Sequence, residues 1–369
     1  MLVEQVRYRS GHWHGASALD ATWVLAFGAT DVLRDPAVVA ELARRYPRAA
    51  LQGCSTAGAV EGTRIDDDTL AVTAIRFADT RVRVEVVTLD AAGGARAAGA
   101  ELARRLAAPE LVHVFVLSEG IDVNGTALID GLHDVLPPAV TVSGGLAADG
   151  ARMTRTVVLA GADAASGRVS AAGLYGAGLD VRCGSLGGWA PFGPERVITR
   201  SEGNVLQELD DHPALELYQR YLGGHADGLP QSGLLFPLEL RPPDGGAPVT
   251  RTLLAIDRDA GSITFAGDMP VGHVVRLMRS NIDRLIDGAT AAARACAAPA
   301  SPELAVIVSC AGRRVVMGQR TEEELEALTA VLGTVPMCGF YSNGELSPAG
   351  AAPCALHNQT MTVTTLRER

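Results

Sequence analysis

The chain has 369 residues and a formal net charge of −10, from 42 acidic and 32 basic side chains, and every one of those bases is arginine. That balance argues against nucleic acid or an anionic membrane surface as a general partner. The length suits two cores rather than one, because a single core stops growing near about 250 to 300 residues.

The opening residues Met1 to Arg7 lack the basic-then-apolar order of a secretory signal, and no apolar run approaches the roughly 18 residues of a membrane span. A soluble, cytoplasmic protein without membrane insertion is the expectation. Six cysteines, Cys54, Cys183, Cys296, Cys310, Cys338 and Cys354, show no C-x-x-C spacing, so neither a zinc knuckle nor a disulfide framework is indicated.

In chain order, an apolar strand is expected at Val24 to Ala29, followed by a helix from Pro36 to Tyr46 with Asp35 as its capping residue. Residues 50–58, ALQGCSTAG, then form a short strand ending in a glycine-led loop, and a strand at Leu70 to Phe77 closes the unit. The pattern returns with a strand at Val112 to Ser118, the loop of residues 140–150, VTVSGGLAADG, and a strand at Thr156 to Ala160. It returns again with a strand at Ala305 to Ser309, a helix at Glu322 to Leu332, the loop of residues 335–345, VPMCGFYSNGE, and a strand at Met361 to Leu366. Thr321 and Glu324 have the spacing of a capping box, and Leu325, Leu328 and Leu332 share one stripe. Between the second and third copies, residues 201–223 contain a helix from Pro213 to Gly223, and a Gly- and Pro-rich connection follows to Pro248. The expected fold is α/β (α+β): two related domains, residues 1–192 and 193–369, with mixed sheets flanked by helices and repeated strand–helix–strand–loop–strand units.

Three loops built alike are expected to line one pocket, since glycine lets backbone approach a ligand while Ser, Thr, Asn and Glu supply a few polar contacts. The candidate ligand-binding residues are Cys54, Ser55, Thr56 and Gly58 in the first loop, Gly144, Gly145 and Asp149 in the second, and Tyr341, Ser342, Asn343 and Glu345 in the third. Asn358 precedes the last strand and joins this set, as do Trp189 among glycines, as pocket wall, and Arg200, as an anion partner. Each has a plainer reading beside it: burial for Trp189, a cap or salt bridge for Glu345, a turn for Asn358. Cys54 or Ser55 as the nucleophile of a hydrolase or transferase is the enzymatic alternative, but Gly53 to Gly58 is not the G-x-S-x-G elbow, and no catalytic set is recognised. His12 and His14 flank Trp13 and would share one strand face, a pattern that suits a surface strand better than a metal site.

Five stretches in this order resemble the FIST proteins: Gly53 to Gly58, GGLAAD from Gly144 to Asp149, residues 203–223 with their ELD and PALELY cores, Gly339 to Pro348, and HNQT from His357 to Thr360. The resemblance covers nearly the whole chain. The family's first loop often continues Gly-Glu-Ile, whereas here Gly58-Ala59-Val60 follows and Glu61 comes one place later. The resemblance implies an N-terminal and a C-terminal FIST domain and ligand sensing rather than catalysis, with amino acids or related polar metabolites as ligands. It implies a separate output partner such as a histidine kinase, a chemoreceptor or a cyclic-nucleotide enzyme. No cofactor is expected from the residues, and haem is the alternative, because a subset of the family resembles haem-binding nitric-oxide sensors.

Overall fold

The computed structural model describes residues 1–150 and 152–369. It is a mixed α/β structure whose repeat is threefold. In the first unit the strands Leu2–Arg9, Trp23–Gly28, Ala50–Ser55 and Thr69–Arg76 share one sheet; in the second, Arg81–Thr88, Leu111–Ser118, Thr141–Leu146 and Arg168–Tyr175 share another; in the third, Leu179–Leu186, Leu304–Cys310, Met337–Ser342 and Met361–Glu368 share a third. In every unit the strand entering the glycine loop runs parallel to its predecessor and the last strand runs antiparallel.

A short hairpin follows each loop, and each hairpin leaves its own unit. Ala59–Glu61 with Arg64–Asp66 extends the third sheet, Val158–Ala160 with Asp163–Ala165 extends the first, and Gly344–Pro348 with Cys354–His357 extends the second. The expected strand at Thr156 to Ala160 is therefore corrected: only three of its residues are extended, and they pair with Gln52, Gly53 and Cys54 rather than closing the second unit. Arg168–Tyr175 closes it instead.

Strand alternation explains the packing. Trp23, Leu25 and Phe27, Phe115 and Leu117, and Leu304, Val306 and Val308 face one common interior, where the rings of Phe27 and Phe340 stack at 4.7 Å. The residues between them face outward and take helices. Val24 and Ala26 receive Pro36–Arg45, Val114 and Val116 receive Ala95–Leu106 and Gly125–His133, and Ala305 and Ile307 receive Ile282–Ala295 and Glu322–Leu332. Three sheets thus wall a prism clad in helices. Each seam has a polar link: Gln52 Nε2 donates to the Phe115 and Ser170 carbonyls and Thr364 Oγ1 to Ser143 Oγ at 2.8 Å, both buried, and the half-buried Gln5 Nε2 donates to the Met337 carbonyl at 2.9 Å.

Asp35 caps its helix by accepting from the Ala37 N–H. The capping box expected at Thr321 does not form, because Thr321 is itself helical and makes no side-chain cap bond. Glu324 turns inward instead, into a fully buried ion pair with Arg313 at 2.6 Å, and accepts from Ser309 and Tyr341 as well.

Residues 190–279 form an inserted body with its own sheet, the helix Ala214–Leu222 and a separate core around Leu206, Tyr218, Ile263 and Phe265. The 192/193 division falls within its first strand, Ala190–Glu202, and the chain rejoins the third unit in the helix Ile282–Ala295.

Candidate functional site

The glycine opening each loop is required by a close backbone approach. A Cβ on Gly53, Gly144 or Gly339 would lie 2.0, 1.9 or 1.8 Å from the carbonyl oxygen of Ala26, Val116 or Ile307 in the neighbouring strand. The bend turns the three loops toward one another, and they close a ring of backbone bonds. The Ala57 N–H donates to the Tyr341 carbonyl, Asn343 to Leu146, and Ala148 to Ser55, in each case from the fourth residue after the glycine to the second residue after it in another unit. The loops meet backbone to backbone at the centre of one end of the prism.

Most side chains of the first two loops are committed inside the protein. Ser55 Oγ accepts from the Val157 N–H and Thr56 Oγ1 from the Gly58 N–H. Gly58 leaves room for the Arg314 guanidinium, which pairs with Asp67. Burial works against the charge of Asp149, yet donation from Thr30, Arg152, Thr154 and the Arg155 N–H holds its carboxyl below the usual range. Gly145 packs against Val308 and Phe340. Cys54 lies in the central core, fully buried, and burial pushes its thiol well above the ordinary range. A nucleophile there has neither access nor an adjacent base.

The third loop differs. Glu345 is fully buried; its Oε1 accepts from Ser342 Oγ at 2.7 Å, and its Oε2 accepts from the Thr360 N–H at 3.1 Å and Thr360 Oγ1 at 2.9 Å. Those donors favour the carboxylate, but burial outweighs them and pushes the carboxyl up to about 8. His357 faces Glu345 across the hairpin, and Asn358 follows. The Asn358 side chain is 1% exposed, and neither its Oδ1 nor its Nδ2 has a hydrogen-bond partner. Gln359 adopts the left-handed region at φ 60°, uncommon for a residue with a side chain. Its Nε2 donates to the Leu234 carbonyl of the inserted body, its backbone carbonyl accepts from Trp189 Nε1, and its Oε1 is also unpartnered.

The structure therefore gathers Ser342, Glu345, Asn358 and Trp189 around the turn 357–360, whereas Asn343 turns to the second unit, its Nδ2 donating to the Gly120 carbonyl. Tyr341 is turned away, its hydroxyl on Glu324. Arg200 is not brought to the loops: it sits exposed on the inserted sheet, paired with Glu208 at 2.9 Å. Sequence reasoning gave no role to Thr360, Gln359 or Cys310, whose thiol, beside Glu345, burial raises to about 12. Only pairing of residues far apart in the chain reveals Cys310, whereas Gln359 and Thr360 fall in the HNQT stretch, where neither had been assigned a contact. The inserted body roofs this corner. Arg251, its own charge disfavoured by burial to about 10, donates to the Leu356 carbonyl at 2.9 Å, and Asn124 Nδ2 donates to Asp268 at 2.8 Å.

Glu345, raised to about 8 by burial, and Asn358, whose amide is unpaired, thus lie on adjoining segments of one buried corner. Both nitrogens of the buried His113 are engaged, by Thr141 and Ser143, which leaves that imidazole no lone pair for a haem iron, while His357 Nε2 holds the Ser347 carbonyl. Among the described residues no three of His, Cys, Asp and Glu gather as a metal site, and no helix is long and apolar enough to cross a membrane.

The FIST N domain model matches residues 22–212 and the FIST C domain model matches residues 214–348. An uncharacterized protein of Mycobacterium tuberculosis is 30% identical over 247 residues, 63% of this chain and 62% of its own length. An uncharacterized protein of Mycobacterium bovis is 27% identical over 186 residues, 47% of each chain. The similarity spans less than two thirds of these relatives.

Proposed function

The chain belongs to the FIST family, whose domains are associated with small-ligand sensing in signal transduction, and on that premise we propose that it is a cytoplasmic sensor that binds a small polar metabolite at the Glu345 and Asn358 corner. The observation that carries this reading is the Asn358 side chain, buried with both polar ends unpaired beside a buried carboxyl. An unsatisfied buried polar group costs about 1–3 kcal/mol, and a bound ligand that completes its hydrogen bonds recovers that cost. An amino acid suits the pair: its ammonium compensates an ionised Glu345 and its carboxylate accepts from Asn358 Nδ2. Because the inserted body is fastened over this corner by Gln359 and Arg251, entry of the ligand moves that body relative to the prism. That displacement is the signal read by a separate output protein, a histidine kinase, chemoreceptor or cyclic-nucleotide enzyme. Binding without turnover is the activity.

A thermal-shift screen of the twenty amino acids and related polar metabolites tests this, run in parallel on Asn358→Ala and Glu345→Gln. One ligand class should raise the melting temperature of the parent protein by several degrees, as expected for a ligand near 100 times its Kd. Both variants should lose the shift. A shift of the same size in both variants would place binding elsewhere.

A further inference from the structure

A second polar feature lies at the seam between the first and third sheets, on residues the ligand corner does not use. Gln5, Arg7 and Arg9 alternate onto one face of Leu2–Arg9, and His14 pairs in register with Arg7 from the strand His12–His14. The hairpin Ala59–Glu61 with Arg64–Asp66, on the edge of the third sheet, brings Glu61 and Arg64 to the opposite wall. Together with Val6 and Gly15 these residues line a groove of about 420 Å³. That volume falls within the range of about 300–1,000 Å³ typical of small-molecule sites.

The arginines divide the work. Arg7 is a fixed part of the wall, held by Glu61 through its Nη2 at 2.6 Å and its Nε at 3.3 Å, with Asp66 at 3.8 Å. Arg9 is more than half exposed, and among the described residues its one ion pair is a 3.8 Å approach to Asp66. Arg64 is exposed and, among the described residues, makes no ion pair. The groove thus presents two under-compensated guanidinium groups from opposite walls, with the exposed His14 imidazole at its rim, in a chain whose net charge is −10. Guanidinium forks match planar and tetrahedral oxyanions with paired hydrogen bonds.

We propose that this groove is a binding site for a small oxyanion, a phosphate- or carboxylate-bearing molecule clamped between Arg9 and Arg64. Glu61 holds Arg7 in the wall, and it and Asp66 limit the site to compact anions, because a larger negative surface would meet their carboxylates.

The test is isothermal titration of the full chain with inorganic phosphate, adenosine monophosphate and succinate as probes, at low and at 0.3 M salt. The expected result is binding of at least one probe, weakened about tenfold or more in Arg9→Glu and in Arg64→Glu, and weakened by salt. Binding of the phosphate probes alone assigns a phosphoryl ligand, and of succinate alone a carboxylate. Should a charge reversal unfold the protein, Arg9→Gln and Arg64→Gln carry the same expectation. Asn358→Ala should bind these probes unchanged, which separates the groove from the ligand corner. No binding by any probe, or binding indifferent to the arginine substitutions, overturns the proposal.

Discussion

Replacing Glu345 by glutamine turns its buried carboxyl into a measurement. The folded chain holds this carboxyl near 8 against an ordinary 4.5, so as pH rises the unfolded chain loses the proton first. The stability the group lends is then fully present below pH 4.5, falls by about 1.4 kcal/mol per pH unit above it, and is gone once pH has passed 8. Between pH 5 and pH 8 the change amounts to about 3–4 kcal/mol. Glutamine keeps the size and one acceptor for Ser342 and Thr360 but does not titrate. Urea denaturation of both proteins at the two pH values, with slopes compared to confirm that the same surface unfolds, isolates the difference. His357, opposite in the hairpin, is pushed down to about 4 by burial and so stays neutral in the fold across this window. Glu345→Gln should gain on the parent protein by about 3–4 kcal/mol from pH 5 to pH 8. A stability difference that stays constant within about 0.5 kcal/mol would refute a carboxyl kept protonated by burial.

Three further outcomes are expected. Gly144→Ala should lower stability by more than about 3 kcal/mol in the same denaturation assay, because its Cβ would stand 1.9 Å from the Val116 oxygen at φ 144°; a loss under about 1 kcal/mol would contradict the close approach. Arg313→Ala should cost about 3–5 kcal/mol by leaving the buried Glu324 without its ion-pair partner. The double change Arg313→Met with Glu324→Gln should recover part of that loss, since glutamine still accepts from Ser309 and Tyr341. Finally, Cys54, Cys310, Cys338 and Cys354 are buried with their thiols raised by burial, so a colorimetric thiol reagent at pH 7 should reach them only after denaturant is added. Rapid modification of any of the four in the native protein would show an opening that the packing does not provide.

The three loops were legible because each begins with a glycine set in an apolar strand and sits at the same place between helix and strand. Their convergence was anticipated from that repetition, but their contact through backbone was not, since no side-chain pattern encodes an N–H to carbonyl bond between residues such as Ala57 and Tyr341. The destination of Val158–Ala160 was hidden for the same reason: three residues carry too little alternation to say which sheet they join. Asp35 declared its cap by standing before Pro36, whereas Thr321 and Glu324 carried a capping spacing that tertiary structure overrode, because Arg313 reaches the same carboxylate from within the core. Glu345 stood out in its loop. The unpaired amide of Asn358 did not, for an asparagine before a strand reads first as a turn, and only burial shows that its amide finds no partner.

The exchange of hairpins also sets an order of events during synthesis. Thr141–Leu146 waits for Gly344–Pro348, so the second sheet leaves the ribosome with a bare edge that stays open while about two hundred further residues are made. The third sheet depends in turn on a hairpin synthesised near the beginning, at Ala59–Glu61. No prefix of the chain is a closed object, and the nascent protein carries unpaired strand edges until its last strands emerge. A premature stop before Gly344–Pro348 and Met361–Glu368 would therefore release an adhesive chain rather than a smaller working protein, and the cell would meet it through its chaperones and proteases.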